Sequence, residues 1–181
     1  MIIIILIGKA TRLFEKIVNQ EKEYKATLKL GETTSTGDQE GEVIKTGEYR
    51  SLQKEQIKRV FANFVGSLEQ TPPLYSALKY KGERLYRLAR RGEKVVLTPR
   101  QVKIYKCQIE QIKLPFVDFI VCCSKGTYIR QLAVDIGEQL NCGAHLVKLC
   151  RTRIGAWGLQ QAIDLDKVEI NKIIKIDDVI L

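Results

Sequence analysis

Ser124, Lys125, Thr127, Tyr128 and Arg130 stand together in the stretch Cys123-Ser124-Lys125-Gly126-Thr127-Tyr128-Ile129-Arg130. Arg130 is the most informative of them. The residues after Gly126 carry a helical pattern, so Arg130 falls in the first turn of a helix, where the partial positive charge of the helix end disfavours a cation. A carboxylate or a phosphate beside it offsets that cost. The alternative is a surface arginine in an ordinary first turn.

The elements that position this stretch can be read outward from it. Residues 117–123 form an apolar run that stops at the Lys125-Gly126 turn, so a strand feeds a helix and presents polar groups at a sheet end. Ile129, Leu132, Ala133, Ile136 and Leu140 recur at spacings of three and four and form the buried face of that helix. Gln131, Asp135, Glu138 and Gln139 form the other face, so Asp135 points away from Arg130. Cys142-Gly143 ends the helix, and residues 148–154 alternate, with Leu149, Arg151 and Arg153 on one parity.

Upstream, residues 2–7 are an isoleucine-rich run that reads as a buried strand, followed by a helical stripe of Leu13, Phe14, Ile17 and Val18. Tyr24, Ala26, Leu28 and Leu30 alternate with Lys25, Thr27 and Lys29, which predicts a strand with one buried and one basic face. The basic face either lies against RNA or is solvated. Residues 31–41 read as an exposed loop in which Asp38 is the only aspartate. A helix opens at Ser51, buries Ile57, Val60, Phe61, Phe64 and Val65, and closes at Gly66.

After Thr71-Pro72-Pro73, Tyr75, Lys79, Tyr80, Lys81, Arg84, Arg87, Arg90 and Arg91 interleave aromatic and basic groups. That mixture suits single-stranded RNA, whose bases stack on rings while its phosphates meet cations. A helix with a charged face fits the same pattern. Residues 95–97 and 102–109 read as strands, and Asp164 or Asp166 starts a final short helix. Cys142, His145 and Cys150 match no zinc spacing and lack a fourth ligand, so no metal site is expected.

The 181 residues suffice for a single domain with a substantial core, since 45% of them are hydrophobic. Thirty basic against twenty-one acidic side chains leave a net charge of +9, which favours a polyanionic partner such as RNA. Charge alone does not separate RNA from DNA or an anionic membrane surface. Five cysteines without a secretory leader point to a reducing cytoplasm, and no run approaches a membrane span.

With these residues in view, S-K-G-T-Y-I-R and C-G-A-H-L-V-K-L (residues 142–149) resemble the TruB family of tRNA pseudouridine synthases. G-K-A-T-R at residues 8–12, K-E-Y-K-A-T-L-K-L-G-E-T-T-S-T-G-D at 22–38 and P-P-L-Y-S-A-L-K-Y-K-G-E-R-L-Y-R-L-A-R at 72–90 fit in the same order. The resemblance implies an α+β fold, a mixed, largely antiparallel sheet flanked by helices, in one domain without the RNA-binding PUA domain. It implies isomerisation of a T-loop uridine in tRNA, with no cofactor, by a cytoplasmic and monomeric protein.

It also assigns roles to residues. Tyr24 matches the tyrosine that stacks on the flipped base and is a candidate to take its C5 proton; Arg130 matches the arginine that pairs with the catalytic aspartate. Tyr128 and Leu149 match positions lining the uracil pocket. Lys79, Arg84, Lys125 and Arg151 are the expected RNA contacts. Arg12 stands where the family usually has lysine.

The 181 residues depart from the pattern in one respect that bears on chemistry. The family aspartate lies in a G-x-x-D-P-x-A-T-G loop just upstream of the G-x-A-T-K/R segment, and Met1 stands where the last glycine of that loop belongs. The upstream histidine of the family has no counterpart either. Asp38, in a distal loop at an acidic family position, and Asp135 are not expected to substitute, so Arg130 is expected to face an empty position. Residues 1–181 are then expected to be inactive by themselves, either as part of an active synthase, or as a silent RNA binder or RNA-folding helper, or as a decayed remnant.

Overall fold

A computed structural model of the protein describes residues 1–93 and 95–174. In chain order the elements are α1 (Phe14–Asn19), β1 (Lys22–Leu30), β2 (Glu32–Thr34), β3 (Val43–Thr46), α2 (Lys54–Asn63) and β4 (Gly66–Gln70). They continue with β5 (Lys79–Tyr80), β6 (Glu83–Arg84), α3 (Leu85–Arg90), β7 (Arg100–Lys113), β8 (Phe116–Cys123), α4 (Ile129–Gln139), β9 (Ala144–Ile154) and β10 (Trp157–Gly158). Six strands make one sheet in the order β10-β9-β1-β8-β7-β4, and every neighbouring pair in it is antiparallel. The class is therefore α+β, as the resemblance implies.

The period-two pattern of β1 explains its central place. Ala26, Leu28 and Leu30 are buried on one face, where Ala26 is paired with Phe119 of β8 and Leu149 of β9. The same face receives α2 through Ile57 and Phe61, and α4 through Ile129, Leu132, Ala133 and Ile136. Phe61 meets Phe119 edge-to-face at a centroid distance of 5.3 Å, a pair of aromatics each contributing apolar burial and a favourable quadrupole contact. On the opposite face the lysines have acidic neighbours. Lys25 pairs with Glu110 at 3.3 Å and Lys29 with Glu32 at 2.7 Å.

Several local expectations change. Residues 2–7 form no strand: the segment is extended, Ile2 is buried, and Ile3, Ile5 and Ile7 are exposed. Its alternate residues Ile2, Ile4 and Leu6 pack with Ile17 and Ile154 in a small second cluster, so the run is apolar without being enclosed. Among the described residues, of its backbone amides only that of Ile2 reaches a strand, bonding the Arg151 carbonyl at 2.9 Å. Gln53, not Ser51, precedes α2, and Gly66 opens β4. Residues 95–97 are not a strand, and β7 is longer than its apolar core. The final helix is two 3₁₀ turns, Leu165–Lys167 and Ile170–Lys172.

The junction of α4 with β9 sets how closely the helix lies on the sheet. Gly137 O accepts from the amides of Cys142 and Gly143, and a Cβ on Gly137 would lie 2.2 Å from the Ala144 nitrogen. A backbone neighbour cannot rotate away. Alanine would gain about 1 kcal/mol in helix propensity, but overpacking against backbone costs about 3 kcal/mol and wins. Gly137→Ala is therefore expected to lower the thermal midpoint by several degrees; a midpoint at or above wild type would show that the contact is not restrictive.

Candidate active site

Strand β8 delivers the chain to a short loop, Ser124 to Tyr128, that is tied back to the sheet. Ser124 N–H donates to Lys103 O at 2.8 Å, Lys103 N–H donates to the Ser124 hydroxyl at 2.9 Å, and Thr127 Oγ1 donates to Ser124 O at 3.0 Å. Gly126 takes φ +79°, a left-handed conformation that lets the loop reverse without a side-chain clash. Tyr128 is then the N-cap of α4, and Arg130 falls in its first turn as the spacing predicts.

Arg130 does not face an empty position. Its Nη1 donates to Asp38 Oδ2 at 2.8 Å and its Nη2 to the Tyr75 carbonyl at 2.6 Å. The expectation of a distal Asp38 is thus overturned, and the reason lies in the loop after β2. Gly37, at φ +75°, packs against Val134 and Arg130 of α4, and Gly37 O accepts from Leu146 N–H of β9 at 2.9 Å. Asp38 is carried across the helix end. It offsets the unfavourable placement of a cation there.

The Asp38 carboxylate is already engaged by the chain itself. Oδ1 accepts from Thr36 Oγ1 at 2.6 Å and from Glu40 N–H at 3.2 Å, while Oδ2 takes Arg130. Burial alone would raise its pKa, but the hydrogen bonds from Thr36, Arg130 and Glu40 outweigh it and hold the carboxyl below its ordinary value. Such a group orients an arginine well and is badly placed to attack carbon. Asp135 lies where the helical pattern puts it, accepting from Gln131 at 2.8 Å on its own helix.

A cleft of about 260 Å³ opens over this ion pair, lined by Asp38, Glu40, Arg130, Leu146, Lys148 and Leu149. Leu149 is 43% exposed, an apolar group offered to a ligand beside charged ones. Tyr24 and Tyr128 do not line the cleft. Tyr24 is nevertheless on the face that carries Leu149, since Tyr24 is paired with Arg151 and Ala26 with Leu149 in the β1–β9 register. Burial raises the Tyr24 pKa, against the opposing influence of Arg151, so its phenol is neutral at physiological pH.

Of the expected RNA contacts, Lys79 is exposed in β5. The other three have protein partners. Arg84 donates to the Ala77 carbonyl and Lys125 to Asn19 Oδ1. Arg151 is turned inward, with Nε and Nη2 on the Ile2 carbonyl at 3.1 and 2.9 Å, and so fastens the amino-terminal segment to β9. The aromatic and basic span becomes a small hairpin and α3 rather than one long helix, with Arg87 and Arg90 6.0 and 5.8 Å from the Tyr86 ring centre. No group of three potential metal ligands occurs among the described residues, and His145 Nδ1 lies 3.1 Å from the Glu32 carbonyl.

Sequence reasoning missed three participants: Asp38 as the partner of Arg130, the Tyr75 carbonyl, and Gln70. Gln70 is 2% exposed; its Oε1 accepts from Tyr128 N–H at 2.8 Å and its Nε2 donates to Tyr128 O at 3.1 Å. Thr36-Gly37-Asp38 carried a turn signal that placed a loop there, but nothing periodic aimed it at α4.

Comparison with known proteins bears on what this site does. A family model described as TruB family pseudouridylate synthase (N terminal domain) matches residues 2–129, and one described as tRNA pseudouridylate synthase B C-terminal domain matches residues 130–178. The boundary between them falls inside α4, and strands from both sides share the sheet. The tRNA pseudouridine synthase B of Francisella philomiragia is 43% identical over 166 residues, 91% of this chain and 55% of that protein. That of Clostridium tetani is 43% identical over 164 residues, 91% of this chain and 57% of that one. The chain thus spans little more than half the length of these relatives. Among solved structures, a Cbf5-Nop10-Gar1 complex gives a TM-score of 0.64 at 30% identity, covering 88% of this chain and 38% of the matched one. An H/ACA ribonucleoprotein bound to a substrate RNA containing 2'-deoxyuridine gives 0.61 at 25% identity, covering 88% and 37%.

The Asp38–Arg130 pair predicts a specific acid limb. Because the Asp38 pKa is depressed on folding, its stabilisation is fully present above the unfolded value near 4 and is lost as the pH falls through the lower folded value. Both side chains are partly exposed, so the effect of Asp38→Asn at pH 7 is expected to be modest, about 1 kcal/mol in urea unfolding. The difference from wild type should shrink below pH 4. A difference that persists undiminished at pH 2 would show that charge is not its origin.

Proposed function

The chain belongs to the TruB family of pseudouridylate synthases, and from that premise we propose that its cleft, together with the sheet face that carries Tyr24 and with the helix cap Tyr128, forms the uridine site of an enzyme that isomerises the T-loop uridine of tRNA. The observation that carries the reading is Arg130, held by Asp38 and Tyr75 at the mouth of a cleft that also presents Leu149. In the reaction the N1–C1′ bond breaks, the base rotates, C5 bonds C1′, the C5 proton leaves and N1 is the nitrogen that gains one. The change is an isomerisation and draws on no cofactor.

Each residue has a part in this. Tyr24 offers a ring for the extruded base and, through its hydroxyl, a group near C5. Leu149 and the cap residue Tyr128 bound the uracil. Arg130 is poised to pair with a second carboxylate, the aspartate that attacks the ribose. Asp38 supports Arg130 without replacing that aspartate, because its oxygens already accept three hydrogen bonds. A loop joined on the amino-terminal side of Ile2 would enter beside Arg151, the cross-strand partner of Tyr24. Residues 1–181 act in this reading as one domain, monomeric and cytoplasmic, that binds the T stem-loop through charge and supplies the base-holding half of the site.

T stem-loop RNA should bind residues 1–181 with an affinity that falls steeply with salt, as expected where phosphate contacts dominate. No binding even at low salt would overturn the reading. Tyr24→Phe should leave that affinity nearly unchanged, because the ring survives. By themselves these residues should form no pseudouridine, as read by carbodiimide labelling. Adding an amino-terminal G-x-x-D-P-x-A-T-G segment should restore turnover, and the same segment with Asn for Asp should fall short by on the order of 10⁴ or more. Efficient turnover by residues 1–181 alone would place the nucleophile elsewhere in the chain.

A further inference from the structure

Gln70 is the last residue of the edge strand β4 and almost wholly buried, yet it is not part of the cleft lining. Its carboxamide forms a two-bond ring with the backbone of Tyr128, accepting from the N–H at 2.8 Å and donating to the carbonyl at 3.1 Å. The side chain therefore does what a neighbouring strand would do for a residue that has left the sheet. The Tyr128 carbonyl also takes Leu132 N–H at 3.0 Å, so the same residue starts α4. Five residues after Gln70, the Tyr75 carbonyl accepts from Arg130 at 2.6 Å. Gln70, the loop to Tyr75, Arg130 and Tyr128 thus close a ring of covalent and hydrogen bonds around the helix start.

The geometry points to Gln70 as a positioning residue for the uridine site, one that fixes Tyr128 and the first turn of α4 so that Tyr128 and Arg130 meet an extruded base. The inference rests on the reading of the cleft as a uridine site. A neutral amide of this length reaches both atoms and donates and accepts at once whatever the pH. Methionine matches its length and supplies neither bond. Glutamate keeps an acceptor for the Tyr128 amide but, when ionised, sets a second acceptor against the Tyr128 carbonyl; when protonated, it regains a donor. Burial and that carbonyl both favour the protonated form.

The test compares two T stem-loop hairpins, one with uridine and one with an abasic residue at the target position, binding to the 181-residue protein. Stacking and pocket contacts to one base should make the wild-type protein prefer the uridine hairpin by about tenfold or more. Gln70→Met should lose that preference while binding the abasic hairpin as wild type does. Gln70→Glu should show most of it at pH 5 and lose it at the pH where the buried carboxyl ionises, with wild type at the same pH values as the control. If Gln70→Met does not fold, Gln70→Glu across that pH range decides alone. Retention of the full preference by Gln70→Met, or its absence in Gln70→Glu at pH 5, overturns the proposal. Equal binding of both hairpins by wild type instead overturns the uridine-site reading on which it rests.

Discussion

A cation in the first turn of a helix has the helix dipole against it, and the surroundings of Arg130 answer that constraint. Its two partners come from segments 92 and 55 residues away, the loop after β2 and the loop after β4. Each loop must be closed and held before the guanidinium is satisfied, which is why Gly37 sits in a left-handed conformation against α4 and Gln70 grips the helix cap. The ion pair by itself contributes modestly to stability, since both side chains are partly exposed. Its larger effect is on geometry. A planar guanidinium with two of its donor positions occupied can present the rest in only one direction.

Where local pattern decides structure, the sequence was legible. The alternation in β1, the apolar run in β8 and the three-and-four spacing of α4 are each set by which side chains must leave water, and burial follows them closely, with Thr27 of β1 the exception, buried on the other parity beside Asp118. Residues 2–7 show the limit of that logic. An isoleucine run favours an extended backbone, but a strand exists only where another strand bonds it, and among the described residues only the Ile2 amide meets one. Asp38 shows the same limit for polar groups. Its pairing with Arg130 depends on the path of a loop, and no spacing rule connects residues 92 positions apart.

Net charge and local contacts report different things about the basic residues. The +9 balance sets a long-range field that draws a polyanion towards the surface, whatever hydrogen bonds the individual cations make. Arg151, Arg84 and Lys125 each spend at least one donor on the protein, so as anchors they serve the fold first. Composition predicts attraction and does not identify contacts. Arg151 in particular joins the amino-terminal segment to the strand pair that carries Tyr24, which couples the placement of that segment to the face proposed to hold the base.

Tyr24 brings a remaining chemical question to a point. Burial raises its pKa and Arg151 only partly counters that, so the folded protein holds a phenol rather than a phenolate. An unperturbed tyrosine near 10 already costs about 4 kcal/mol to ionise at pH 7, and a raised value costs more. Proton removal by a pre-formed phenolate is therefore a poor use of this residue. A neutral phenol, by contrast, can stack through its ring and hydrogen-bond the base at no ionisation cost. If it accepts the C5 proton, its own must first pass to a base or to solvent, and the negative charge so formed must be met. Arg151 is the cation in its cross-strand position, and its inward orientation makes it more useful to that charge than to a phosphate in solvent.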